Sequence, residues 1–115
     1  MKATRVLWLA GLVAAAALLT GESVVGASAE PRHVVGQKGK QFSAATLTLR
    51  RGETIRFVND DSVTHNVFSK SPVAPFNLKL QPPGSATEVR FEHPGTATVR
   101  CAIHPMMKLE VTVEP

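Results

Sequence analysis

Residues 46–59 read Thr46-Leu47-Thr48-Leu49-Arg50-Arg51-Gly52-Glu53-Thr54-Ile55-Arg56-Phe57-Val58-Asn59. Apolar and polar side chains alternate on either side of Arg51-Gly52-Glu53. Leu47 and Leu49 share one face of the first run, and Ile55 and Phe57 share one face of the second. A period of two belongs to a half-buried strand, and the glycine between the runs marks a turn. The segment therefore predicts strand, turn, strand.

The same grammar extends in both directions. Arg32 to Gln37 is a candidate first strand. A loop follows around Gly39, with Phe42 placed to plug the core. After the Asp60-Asp61-Ser62 turn, His65 to Ser69 is the next candidate. Ser71 to Pro75 carries two prolines and reads as a loop or an edge. Phe76 to Leu80 is a short candidate, closed by the turn at Gln81-Pro82-Pro83-Gly84-Ser85. Ala86 to Phe91 puts Val89 and Phe91 together, and Glu92-His93-Pro94-Gly95 turns again. Thr96 to Cys101 aligns Ala97, Val99 and Cys101. Lys108 to Val113 aligns Leu109, Val111 and Val113. About eight strands at roughly ten-residue spacing, with no helical period, predict a single antiparallel Greek-key β-sandwich. There is no internal repeat and no second domain.

The first 29 residues read differently. Lys2 and Arg5 form a short positive region, Val6 to Leu19 is apolar, and Ala27-Ser28-Ala29 is an A-x-A cleavage pattern. The apolar run is shorter than the ~20 residues of a spanning helix. Residues 1–29 are expected to be a secretory signal peptide cleaved after Ala29, leaving residues 30–115 as one small domain without a membrane span.

The chain carries 13 Lys and Arg against 9 Asp and Glu, a net charge of +4. Neither a basic run nor basic–aromatic interleaving accompanies that excess, so nucleic-acid binding has no support. A mildly basic surface is compatible with an acidic protein partner. The single Trp, Trp8, lies in the leader and there is no Tyr.

Cys101 is the only cysteine. In an exported chain it has no internal disulfide partner, and a free thiol there is a liability unless something holds it. Cys101-Ala102-Ile103-His104-Pro105-Met106-Met107 puts an imidazole and one or two thioethers beside it. Thiolate, imidazole and thioether suit a soft, redox-active metal, copper foremost, and one more nitrogen ligand is needed. His65, in Thr64-His65-Asn66-Val67-Phe68, is positioned to supply it. Met107 is preferred over Met106 as the thioether, because Met106 follows His104 too closely across Pro105. His33 and His93 have no spacing to the cluster, and His93 is expected in an exposed turn. Asp60 and Asp61 read as turn residues.

These segments resemble the cupredoxins. The residues that carry the resemblance are His65-Asn66-Val67 after the Phe57-Val58-Asn59-Asp60 strand end, Cys-x-x-His-Pro-x-Met before the last strand, and Gly-x-x-Ile-x-Phe-x-Asn at 52–59. The short gap between His104 and Met107 is similar to the ligand loop of the amicyanins. The resemblance implies one type 1 copper ion held by His65, Cys101 and His104 near a plane, with Met107 as a weak axial ligand; that site class is a general one. It implies that the Asn66 backbone N–H donates to the cysteine sulfur while its side chain ties the ligand loops. Pro105 has no N–H and cannot add a second such bond. Many relatives carry an aromatic residue two or four positions before the cysteine; here those positions are Val99 and Ala97.

The function implied is a periplasmic one-electron carrier, a monomer that docks a redox partner transiently near His104, Pro105 and Met106, with Ile103 or Pro72 as neighbours. Amicyanin-like proteins serve quinoprotein amine oxidation. The alternative is a periplasmic copper carrier or buffering protein with the same ligands; the lack of Met/His repeats counts against it. A Cys–His hydrolase or transferase lacks an orienting group and an oxyanion site, and its two residues sit too close on one loop. A purely structural sandwich leaves the Cys-His-Met grouping unexplained.

Overall fold

The computed structural model describes residues 33–115 and, before them, Ala3. Apart from Ala3, the expected signal peptide lies outside the described residues, as do residues 30–32. Among the described residues nine strands follow one another without a helix: β1 (His33–Lys38), β2 (Gln41–Phe42), β3 (Thr46–Arg50), β4 (Thr54–Asn59), β5 (His65–Ser69), β6 (Phe76–Gln81), β7 (Ala86–Arg90), β8 (Gly95–Arg100) and β9 (Lys108–Glu114). No helix among the described residues is long and apolar enough to cross a membrane.

The strands form a four-stranded sheet, ordered β2-β1-β4-β7, and a five-stranded sheet, ordered β3-β9-β8-β5-β6. The inward faces are those that alternation marked: Ile55, Phe57, Val99, Leu109 and Val111 are fully buried, with Leu49 and Val113 almost so. Phe57 meets Phe42 edge-on at 6.3 Å and Phe76 at 6.2 Å, and Phe76 meets Phe91 at 6.1 Å. Aromatic rings at such spacings tie the two sheets together.

The β-sandwich stands as expected, with two refinements. It is not wholly antiparallel: β1 pairs parallel with β4, and β3 parallel with β9. Parallel partners are far apart in sequence, and alternation within a strand says nothing about the direction of its neighbour. The loop near Gly39 also contains β2, two residues that pair back on β1 and bury Phe42.

Candidate metal centre

Three segments meet at one end of the sandwich. His65 is the first residue of β5. Cys101 follows the last residue of β8. His104 and Met107 lie in the loop from β8 to β9. That loop contains a β-turn, with the Met107 N–H donating to the His104 carbonyl at 3.0 Å. Pro105 occupies the position where a fixed φ favours such a turn. The turn sets His104 and Met107 at its two ends and Met106 at its corner. Met107 is 1% exposed and Met106 68% exposed.

The ladder between β5 and β8 pairs only Phe68 with Arg100 and Ser69 with Val99. Beyond it the Asn66 N–H has no strand partner and donates to the Cys101 sulfur at 3.3 Å. The Asn66 side chain accepts from the Ala102 N–H at 3.1 Å. Its amide donates to Asn77 Oδ1 and to the Lys79 carbonyl. One buried asparagine thus ties β5, β6 and the cysteine loop together. A bulge makes this possible: Asn66 pairs with Leu80 but Phe68 with Asn77, and Lys79, at φ 63°, takes up the extra residue. Bulges commonly re-aim side chains at functional ends of sheets.

The donor atoms of His65, Cys101 and His104 lie within 4.8 Å of one another. His65 Nδ1 faces His104 Nδ1 at 3.0 Å, and the Cys101 sulfur is 3.8 Å from the same His104 nitrogen. On its far side, His65 Nε2 donates to Asp61 Oδ2 at 2.9 Å. That bond places the proton on Nε2 and leaves the Nδ1 lone pair aimed at the centre. The His65 hydrogen bond in turn holds the Asp61 carboxyl below its ordinary range, helped by backbone N–H groups of Lys40 and Ser62. Desolvation, and then the charges of His65 and Lys40, hold the His104 imidazolium below its usual value, so the neutral ring is favoured.

Two imidazole nitrogens and a sulfur converging in this way fit a soft metal ion with nitrogen and thiolate preferences. The contacts implied for Asn66 are present. Asp61 was missed in the sequence, where a turn accounted for it; its i, i+4 spacing to His65 was the available signal. His33 lies away from this cluster and pairs with Glu53 at 2.7 Å. His93 is exposed and Val99 and Ala97 are buried, so no aromatic lies two or four residues before Cys101.

A profile of copper-binding proteins of the plastocyanin/azurin family matches residues 30–114. The chain belongs to that family. It is 32% identical to amicyanin-alpha of Methylorubrum extorquens over 111 residues, 92% of this chain and 92% of the relative. It is 29% identical to amicyanin of Paracoccus versutus over 101 residues, 84% and 76% of the two chains. Among solved structures, a purple cupredoxin from Nitrosopumilus maritimus superimposes with a TM-score of 0.64 at 26% identity, covering 71% of this chain and 99% of that one. Membership makes copper the metal of this cupredoxin, and amicyanins are the group it most resembles.

Proposed function

We propose that this cupredoxin is a periplasmic single-electron carrier, active as residues 30–115 after loss of its leader. His65, Cys101 and His104 hold one copper ion and Met107 is its weak fourth donor. Copper supplies a one-electron couple between Cu(II) and Cu(I). The observation that carries the reading is the burial contrast among the donors. His65 and Cys101 are shut away from water, at 0% and 2% exposure, while His104 is partly exposed.

Each residue has a task. Asp61 fixes the His65 tautomer, and Asn66 fixes the cysteine loop. The Pro105 turn fixes His104 relative to Met107. Donors locked in this way change position little when the charge at the centre changes, which keeps reorganisation small. The burial of Met107 and the exposure of Met106 support Met107 as the thioether donor. The same site with ready metal release would call for mobile or exposed donors, so the copper-carrier alternative has less support.

The exposed edge of His104 is the contact for a redox partner. Pro105 and Met106 beside it, and the exposed side chain of Ile103, make that surface apolar. A monomer docking there transiently suits a carrier, and the amicyanin likeness points to a quinoprotein amine-oxidising enzyme as donor.

The test is the visible spectrum of residues 30–115 after adding Cu(II) and then ascorbate. An intense charge-transfer band that bleaches on reduction and returns on oxidation is expected, and C101S should lack it. Tight Cu(I) binding without any such band would overturn the reading in favour of the copper carrier.

A further inference from the structure

Among the described residues six polar side chains are buried in the sandwich: Gln37, Asn59, His65, Asn66, Ser69 and Gln81. Five of them make side-chain hydrogen bonds. Gln37 is the exception. It is fully shielded from water, and neither its amide nitrogen nor its amide oxygen has a partner among the described residues. A buried polar group without a partner destabilises a fold, and an apolar side chain of the same size would fill this space without that penalty.

The place of Gln37 is specific. It is the last inward residue of β1. Across the sheet it stands opposite Asn59 on one side and Phe42 on the other. The Asn59 amide donates to the Val63 and Gln81 carbonyls and accepts from the Asp61 N–H, so it shapes the loop that leads to His65. Phe42 lines a groove together with Met107. Gln37 is thus flanked by one residue that shapes the approach to His65 and one that borders the thioether donor. It belongs to the layer of core next to the metal centre.

We propose that Gln37 sets the redox potential of the copper centre, its unengaged carboxamide turning its oxygen toward the charge of the oxidised state. A thiolate with Cu(II) carries one net positive charge, and a thiolate with Cu(I) carries none. A side-chain amide held by no hydrogen bond orients in the local field. In a dry interior that field is weakly screened. The Gln37 oxygen therefore stabilises the charged, oxidised state and has little effect on the neutral, reduced one. It acts from outside the donor set of His65, Cys101, His104 and Met107. The same amide that weakens the metal-free fold strengthens the hold on Cu(II). Only the identity of the couple rests on the electron-carrier reading.

The test compares residues 30–115 with Q37M and Q37L, which replace the amide by apolar chains of similar size. Without metal, both variants should unfold at a urea concentration equal to or above that of the wild type. With copper, their preference for Cu(II) over Cu(I) should fall roughly tenfold. In a mediated redox titration that is a rise in potential of about 59 mV. V35A, one inward position further along β1 from the centre, should unfold at lower urea and keep the wild-type potential. An unchanged potential in Q37M and Q37L would overturn the proposal. So would a lower urea midpoint for metal-free Q37M, which would mark the amide as tied to an internal water that holds the fold. A rise in V35A as large as that in Q37M would also overturn it, as an effect of packing alone. Absence of the charge-transfer band in the wild type is a separate failure and sinks the carrier reading instead.

Discussion

Asp61 stands four residues before His65 and holds the far nitrogen of its ring at 2.9 Å. A carboxylate behind a metal-ligating histidine fixes the ring and raises its basicity, and removing such a partner typically lowers metal affinity about 10–100-fold. D61A should show a loss of that size for copper in a chelator competition, while D61N, which keeps an acceptor, should lose less. If D61A binds copper as tightly as S62A, Asp61 has no such role. Nothing in Asp60-Asp61-Ser62 announces this, because a turn explains both acids. The Met pair is a different case. Spacing from His104 across Pro105 favours Met107, and the turn at Pro105 buries that residue while exposing Met106.

At the level of elements, Thr98 on β8 and Glu110 on β9 face each other across a ladder pair. The Thr98 hydroxyl, first, and then Lys108 hold the Glu110 carboxyl below its ordinary value of 4.5. A carboxyl lowered in the folded state stabilises the fold above its unfolded value. That contribution is lost as pH falls from 4.5 through the lower folded value. E110Q should therefore flatten the acid limb of stability against pH in urea melts and leave the slope above pH 6 unchanged. An equally steep acid limb in E110Q would assign that slope to other carboxyls. Gly95 opens β8 at φ 133°, where a Cβ would sit 2.8 Å from Val73 Cγ1. Backbone strain and that contact together should make G95A less stable by about 1–3 kcal/mol, measured by denaturant unfolding. A change under about 0.5 kcal/mol would show that the turn accepts a side chain.

For the molecule as a whole, the centre joins β5 to the β8–β9 loop, segments well separated in the chain. A metal bound there stabilises the folded state by mass action, about 2.7 kcal/mol at a hundredfold excess over Kd. In a domain of this size that corresponds to a rise in Tm of roughly 10 °C or more. Stripping copper should lower Tm by that amount and readdition should restore it in calorimetry. Equal Tm values with and without copper would mean that the folded and unfolded chains bind it equally.

Alternation in 46–59, 86–91, 96–101 and 108–113 was enough to place those strands and their buried faces, because a strand's two faces are set by its own successive residues. The Cys101–His104–Met107 spacing was legible for the same reason: one short loop carries all three. The parallel pairings β1 with β4 and β3 with β9, the two-residue β2 and the bulge at Lys79 were not. Nor was the role of Asp61 behind His65. Each of these depends on which distant segments close on one another, and that is decided by the packing of the two sheets as a whole.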